Sequence, residues 1–244
     1  MKLLLLAGTG EARRIAEALP GIAGVEAVAS LAGGTRVPAR MPVPVRSGGF
    51  GGRERFVDYL TGEGIGAVLD ATHPFAIDMT RRTAGVCAEM GLPYAQVLRP
   101  GWEPGPGDRW TFVDREEEVA GLVPEGATVF LGTGTKELDR FANLQGREVI
   151  CRRIETPGAP FPFPGGRFLQ GRPPFSVAEE KALFAELGVD WLVVKNSGGD
   201  ASRSKLDAAR VMGLPVALIN RPAQPDAIRF ETEAEALDWI RGLS

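Results

Sequence analysis

Several stretches of this chain combine glycines, hydroxyls and charged side chains at a spacing that suits binding of an anion. In LLLLAGTGEARRIAEAL, an apolar run from Leu3 stops at Gly8-Thr9-Gly10, and Ile15 and Leu19 then follow four residues apart, as on a helix face. A strand, a tight turn and a helix N-terminus in that order bring backbone N–H groups and the helix dipole to a pyrophosphate. Glu11 at the helix start suits the dipole and can accept a hydrogen bond from a ribose or an amide, although it would not welcome a phosphate. The dinucleotide fingerprint G-x-G-x-x-G is incomplete, because Arg13 occupies the third glycine position. Two glycines also fit a turn that holds nothing.

Further clues lie downstream. NAD-specific sites usually place a carboxylate at the end of the second strand, on the ribose 2′-hydroxyl. Here that strand ends at Ser30, and the loop after it carries Thr35 and Arg36. A hydroxyl and a guanidinium suit a 2′-phosphate, so the preference expected is NADP(H); an ordinary exposed arginine is the other account. SGGFGG, Ser47–Gly52, permits positive φ and close backbone approach to a flat ligand, or is a plain surface loop. In DATHPFA, Asp70–Ala76, the proline pushes His73 towards an extended backbone. Thr72 and His73 then lie at the carboxyl end of a strand, where open α/β sheets bind ligands. GTGTKEL (Gly132–Leu138) and VVKNSGGDASRSK (Val193–Lys205) repeat the combination of glycine, hydroxyl and lysine. Lys136, Lys195, Ser197, Ser204 and Lys205 would together receive carboxylates or phosphates, whereas each lysine alone reads as solvated surface.

Composition narrows the class. The 244 residues carry a formal net charge of −3, which argues against a nucleic-acid binder working by global attraction. The single histidine, His73, excludes histidine-rich metal sites, and no metal is expected. Two distant cysteines, Cys87 and Cys151, indicate neither a disulfide framework nor a zinc cluster. No apolar run reaches the ~18–20 residues of a membrane span. A cytoplasmic protein with no membrane or nucleic-acid partner is expected.

These residues need elements to position them. Leu3–Ala7, Val25–Ser30, Gly66–Ala71 and Pro93–Leu98 read as strands, with helical spacing in RERFVDYL and IDMTRRTAGVCAEM. Arg99–Asp108, with three prolines and three glycines, reads as a boundary. Beyond it ATVFL, EVICRRI, WLVVK and PVALIN read as strands, and TKELDRFANL, VAEEKALFAELG, SRSKLDAARVMG and TEAEALDWIRGL as helices. TPGAPFPFPGG is too rich in proline for either and reads as a loop, a candidate lid around Phe161 and Phe163. The expected fold is α/β: two Rossmann-like parallel-sheet domains, residues 1–98 and 109–244, joined by a linker at 99–108, with the active site in the cleft between them. Strand, Gly-Thr-Gly and helix recur at Gly8–Gly10 and Gly132–Gly134, by duplication or by convergence on a good turn.

LLLAGTGEAR, GGFGG, DATHPFA, GTGTKEL and VVKNSGG before a K-x-x-A-A-R helix together resemble the precorrin-6A reductase family of cobalamin biosynthesis. The match runs in order along nearly the whole chain, and its specificity comes from the combination. The resemblance implies an NADPH-dependent oxidoreductase that reduces one conjugated double bond of a polycarboxylate tetrapyrrole, precorrin-6A, to precorrin-6B. It implies cofactor phosphate contacts at Gly8, Thr9, Gly10, Glu11 and Ala12, the 2′-phosphate at Ser30 and Arg36, and inner cofactor contacts at Gly49, Phe50, Thr72, His73 and Pro74. Thr133, Gly134, Lys136, Lys195, Ser197 and Gly198 fall to the substrate.

Direct hydride transfer is then the expected chemistry, with the protein positioning two flat molecules. Cationic neighbours such as Lys136 or Lys195 would raise the electron demand of the macrocycle. The completing proton comes from His73, the one side chain titrating near neutrality by its unperturbed pKa, or from water. The cobalt-containing substrate of the anaerobic route would need the same type of enzyme. A non-catalytic NADP-binding module is a reading of a different class, marked by tight NADPH binding without turnover.

Overall fold

The computed structural model describes residues 1–32, 41–154 and 158–243. They form two compact units, Met1–Pro100 with Pro222–Ser244, and Gly101–Arg221. The C-terminal segment therefore belongs to the first unit, which corrects the assignment of all of 109–244 to the second. The physical reason is a strand and a helix that complete the first sheet.

The first unit contains β1 (Lys2–Leu6), β2 (Glu26–Leu31), β3 (Val45–Ser47), β4 (Ala67–Asp70), β5 (Tyr94–Val97) and, after the chain returns, β12 (Ile228–Phe230). All pair in parallel, in the order β12–β5–β4–β1–β2–β3. The chain thus starts at the centre, steps outwards on one side, then fills the other, as in doubly wound dinucleotide folds. Leu3 to Leu6 are buried on both faces, as a central parallel strand requires. Helices α1 (Gly10–Ala18), α2 (Arg53–Gly62), α3 (Ile77–Met90) and α6 (Glu233–Leu243) cover the sheet. Ala12, Ile15 and Ala16 of α1 and Ala236 and Ile240 of α6 enter one core with Leu3, Leu5 and Leu69. The opposite face packs Leu4, Leu6 and Val68 on Phe56 and Leu60 of α2 and on Val86 and Cys87 of α3.

The second unit repeats the plan. β6 (Trp110–Val113), β7 (Thr128–Leu131), β8 (Glu148–Arg153), β9 (Gly166–Gln170), β10 (Trp191–Lys195) and β11 (Val216–Ile219) form a parallel sheet in the order β6–β11–β10–β7–β8–β9. Helix α4 (Val177–Glu186) starts with a capping box between Ser176 and Glu179, and α5 (Ser204–Met212) ends at left-handed Gly213. Trp102 is buried in this unit's core, its backbone N–H donating to Asn196 Oδ1 at 2.7 Å, so the stretch read as a linker is part of the second unit from Gly101 onwards.

Two local expectations change. TKELDRFANL forms only a 3-10 turn at Leu138–Phe141, not an α-helix. Its buried residues Leu138, Phe141 and Leu144 recur every three positions, the period of a 3-10 helix. In the proline-rich segment, Phe161 packs against Phe163 and Phe168 with ring centroids 4.8 and 4.9 Å apart. Gly166 must be glycine beneath it, because a Cβ there would lie 1.9 Å from the Phe161 ring.

Candidate active site

The turn after β1 is built for close approach. Gly8 has φ +149°, and a Cβ on it would meet nothing within 4 Å, so open space lies above the backbone. Thr9 caps α1: its Oγ1 accepts from Ala12 N at 3.2 Å and donates to the Ala71 carbonyl at 2.8 Å. That second bond ties the ends of β1 and β4, the point where the strand order reverses and where open α/β sheets bind ligands. Arg13 faces solvent near Glu17, whereas Ala12, which faces the sheet, is fully buried. Small size for close helix–sheet packing is thus supplied at position 12, and the missing third glycine costs nothing.

Glu11 is already engaged. Its Oε2 lies 2.9 Å from Arg99 Nη1, in the segment after β5. Burial works against its ionisation, but its own backbone N–H and the Arg99 guanidinium hold its carboxyl below the usual range.

Asp70 organises the neighbouring loop. It is completely buried; Oδ1 accepts from Thr72 N at 3.0 Å and Thr72 Oγ1 at 2.6 Å, and Oδ2 from Thr80 Oγ1 at 2.8 Å and Tyr94 OH at 3.1 Å. Burial and this carboxylate push the Tyr94 hydroxyl up, keeping it a neutral donor. Thr72 is fixed at the sheet's carboxyl edge, exposed His73 follows with its Nδ1 accepting from Phe75 N at 3.3 Å, and Pro74 is buried. Asp70 was not among the expected site residues. Its signal is an Asx turn, an aspartate ending a buried strand with a hydroxyl residue two positions on.

A second residue missed from sequence is Arg46 on β3. Ser30 pairs with Leu6 of β1 on one side and with Arg46 on the other. Arg46 Nη1 donates to Ser30 Oγ at 2.8 Å and to the Gly48 carbonyl at 2.9 Å, and Nη2 to the Gly49 carbonyl at 3.3 Å. Its guanidinium lies 3.9 Å from the centroid of Phe50, itself buried against Phe56 and Tyr59. The glycine loop therefore presents a braced cation at the end of β2. Phe50 is the shelf beneath it. Arg36 lies outside the described residues.

In the second unit the expected substrate residues meet at the adjacent carboxyl ends of β7 and β10, joined by an ion pair between Lys195 and Glu137. Thr133, whose Oγ1 donates to the Gly134 carbonyl at 3.3 Å, and exposed Lys136 follow β7. Lys195 is buried and ion-paired with Glu137, so a substrate carboxylate there would compete with a resident one. Ser197 and Gly198 follow β10 in a buried stretch, Gly198 at φ +66°. Lys205, in the same sequence cluster, lines a cavity with Gly132, Arg152 and Glu180.

Two doubly wound units, each with a glycine turn at the carboxyl end of its central strand, define an α/β protein of the dinucleotide-binding architecture. A profile of the family described as Precorrin-6x reductase CbiJ/CobK matches residues 2–241. A precorrin-6A reductase from Rhodococcus erythropolis is 43% identical over 246 residues, covering 100% of this chain and 98% of its own. A cobalt-precorrin-6A reductase from Priestia megaterium is 29% identical, with 90% of each chain covered. A solved structure named CobK precorrin-6A reductase matches with a TM-score of 0.93 at 39% identity, covering 100% of this chain and 97% of that one. The chain belongs to the precorrin-6x reductase CbiJ/CobK family and is an oxidoreductase acting on a CH–CH bond.

Membership of a reductase family implies a nicotinamide cofactor, and the first unit fits one. The unfilled space over Gly8 and the N-terminus of α1 suit a pyrophosphate. No helix among the described residues is long and apolar enough to cross a membrane.

Proposed function

We propose that the chain reduces one conjugated double bond of precorrin-6A, giving precorrin-6B, with NADPH as the reductant. The observation that carries the choice of nucleotide is Ser30 beneath the Arg46 guanidinium, at the strand end where NAD-specific folds place a carboxylate. In this reading Gly8, Thr9, Gly10, Glu11 and Ala12 surround the pyrophosphate, and Ser30 with Arg46 and Arg36 meets the 2′-phosphate. Gly49, Phe50, Thr72, His73 and Pro74 line the inner part of the nucleotide site, Phe50 by supporting Arg46.

When bound, NADPH supplies a hydride from the dihydronicotinamide C4 to an electrophilic carbon of the macrocycle. Around that transfer the chain binds, orients and balances charge. Thr133, Gly134, Lys136, Lys195, Ser197 and Gly198 take the substrate side, with the exposed Lys136 ammonium matched to a carboxylate-fringed ring and Lys195 held in place by Glu137. His73, exposed beside the Thr72 turn, is the proposed proton donor. The metal-free substrate is favoured over the cobalt form by the greater identity to the relative named for it. The reading places the enzyme in the cytoplasm, a reducing compartment that suits two free cysteines.

The test is NADPH oxidation by the purified chain with precorrin-6A, with the cobalt form and NADH run alongside. We expect turnover of the metal-free substrate with NADPH and slower single turnover for His73→Ala. Faster turnover of the cobalt form reassigns the substrate, an unchanged His73→Ala rate removes that residue from the mechanism, and NADPH binding without turnover of either tetrapyrrole refutes the enzyme reading.

A further inference from the structure

The chain re-enters the first unit at Pro222, and the residues just after that point do more than lead to β12. Gln224 is half-buried, and its Nε2 donates to two carbonyls, that of Pro222 at 2.8 Å and that of Pro74 at 3.1 Å. Its Oε1 accepts from Gln96 Nε2 at 2.9 Å. Arg81 of α3 adds a bond from Nη2 to the Ala223 carbonyl at 3.0 Å. Gln96 lies on β5, beside Asp70 of β4 in the register of the sheet, and is 2% exposed. Two neighbouring polar residues at the carboxyl end of the sheet thus grip one loop from below. Asp70 takes Thr72 on one side of His73, and Gln96 reaches Pro74 on the other side through Gln224.

The direction of this relay is fixed. A Gln224 amide turned the other way would set Oε1 against the Pro74 and Pro222 carbonyls, oxygen against oxygen with no proton between them. Gln224 must therefore offer Nε2 to the loop and Oε1 to Gln96, and Gln96 must answer with its own Nε2. The arrangement is costly: Gln96 Oε1 is buried and has no hydrogen-bond partner among the described residues. Leucine, of similar size, would fill this place on β5 without leaving a carbonyl unsatisfied, so sheet stability alone favours an apolar residue.

The loop itself is a tight turn. Ala76 N donates to the His73 carbonyl at 2.7 Å, and Phe75 N to His73 Nδ1 at 3.3 Å. His73 is exposed at its apex, where the backbone on either side decides where the imidazole stands.

We propose that Gln96 and Gln224 are positioning residues for the reduction, a directional amide relay that fixes the Pro74 carbonyl and with it the place of His73. The inference rests on the reading of Thr72, His73 and Pro74 as the inner part of the nucleotide site, and of His73 as the proton donor. Neither amide touches the reacting molecules; both act through the loop. The relay gives the returning segment a task in the reaction besides completing the first sheet.

The experiment follows single-turnover NADPH oxidation with precorrin-6A, KM for precorrin-6A and the melt of the first unit. The variants are Gln96→Leu, Gln224→Ala and Gln224→Glu, each made also in a His73→Ala background. Gln96→Leu is expected to slow single turnover about tenfold or more, as a misplaced reacting group does. Its KM is expected to hold, and its melting temperature to hold or rise, because the unsatisfied carbonyl is gone. Gln224→Glu keeps the acceptor for Gln96 but turns an oxygen towards Pro74, and is expected to slow turnover at least as much as Gln224→Ala. In the His73→Ala background the three substitutions are expected to add nothing, since their effect passes through that residue. Unchanged turnover in Gln96→Leu and Gln224→Ala, or a slowing of the same size without His73, overturns the relay and leaves the function standing. An unchanged rate in His73→Ala alone overturns the role of that residue and the relay with it. A wild-type chain that fails to oxidise NADPH with precorrin-6A overturns the function as well.

Discussion

Arg46 shows how much one side chain can settle. A guanidinium has five N–H donors, and Ser30, Gly48 and Gly49 take three of them. Among the described residues Nε and one Nη2 N–H have no acceptor, on a group whose plane is held against Phe50. A fork braced in this way suits phosphate recognition, since little side-chain freedom remains to be lost on binding. Arg46→Ala is therefore expected to weaken NADPH about ten- to hundredfold, through loss of about 1.5–3 kcal/mol of charge-assisted bonding, while NADH binding changes little. Fluorescence titration with both nucleotides checks this. Equal weakening of both would mean that Arg46 serves only to shape the glycine loop. Not every charged residue is poised in this way: Lys195 is committed to Glu137, and Glu11 to Arg99. Sequence shows where such charges stand but not their partners, because the pairing partners lie 58 and 88 positions away in the chain.

At the scale of elements, the central strands were legible and the edges were not. β1, β4, β7, β10 and β11 are short apolar runs buried on both faces, and composition alone marks them. β3, β6, β9 and β12, the four outer strands of the two sheets, escaped notice. Each is half-solvated, with burial too irregular to leave a period in the sequence, and β3 and β12 are only three residues long. Missing β3 hid Arg46; missing β12 hid the return of the chain. The turn after β1 was legible because Gly-Thr-Gly names its own geometry, yet the bond from Thr9 to Ala71 spans 62 positions and had no local signature. That bond makes Thr9 more than a cap. Thr9→Ala is expected to cost about 1 kcal/mol as a lost N-cap, a fall of about 2–4 °C in Tm for a chain this size, with NADPH affinity falling as the two strand ends decouple. Thr9→Ser keeps both bonds and should restore both readouts. A melt unchanged in Thr9→Ala would show that the cap carries little weight.

For the whole molecule, the decisive feature is that the first unit is made of two pieces of chain. The chain leaves this unit at Pro100 and returns at Pro222. What returns is structural: β12 pairs with β5, α6 places Ala236 and Ile240 in the core, and Glu233 bonds Arg14 of α1 at 2.6 Å. Leu237, Trp239 and Leu243 pack against the same core from its margin. Full burial of a side chain of the size of Ile240 contributes about 1.5–3 kcal/mol, so the segment as a whole supplies a stabilisation comparable to the ~5–15 kcal/mol that holds a typical domain folded. A chain ending at Arg221 should therefore lose the cooperative melt of the first unit while retaining that of the second, whose six strands all lie within Gly101–Arg221. Limited proteolysis should cut the truncated chain within residues 1–100 and spare the remainder. Ile240→Ala, which keeps every backbone bond, should lower the first transition alone, by about 2–5 kcal/mol. A truncated chain that still melts in two steps, with NADPH affinity intact, would show that the N-terminal hundred residues fold unaided and that α6 is an ornament on a finished sheet.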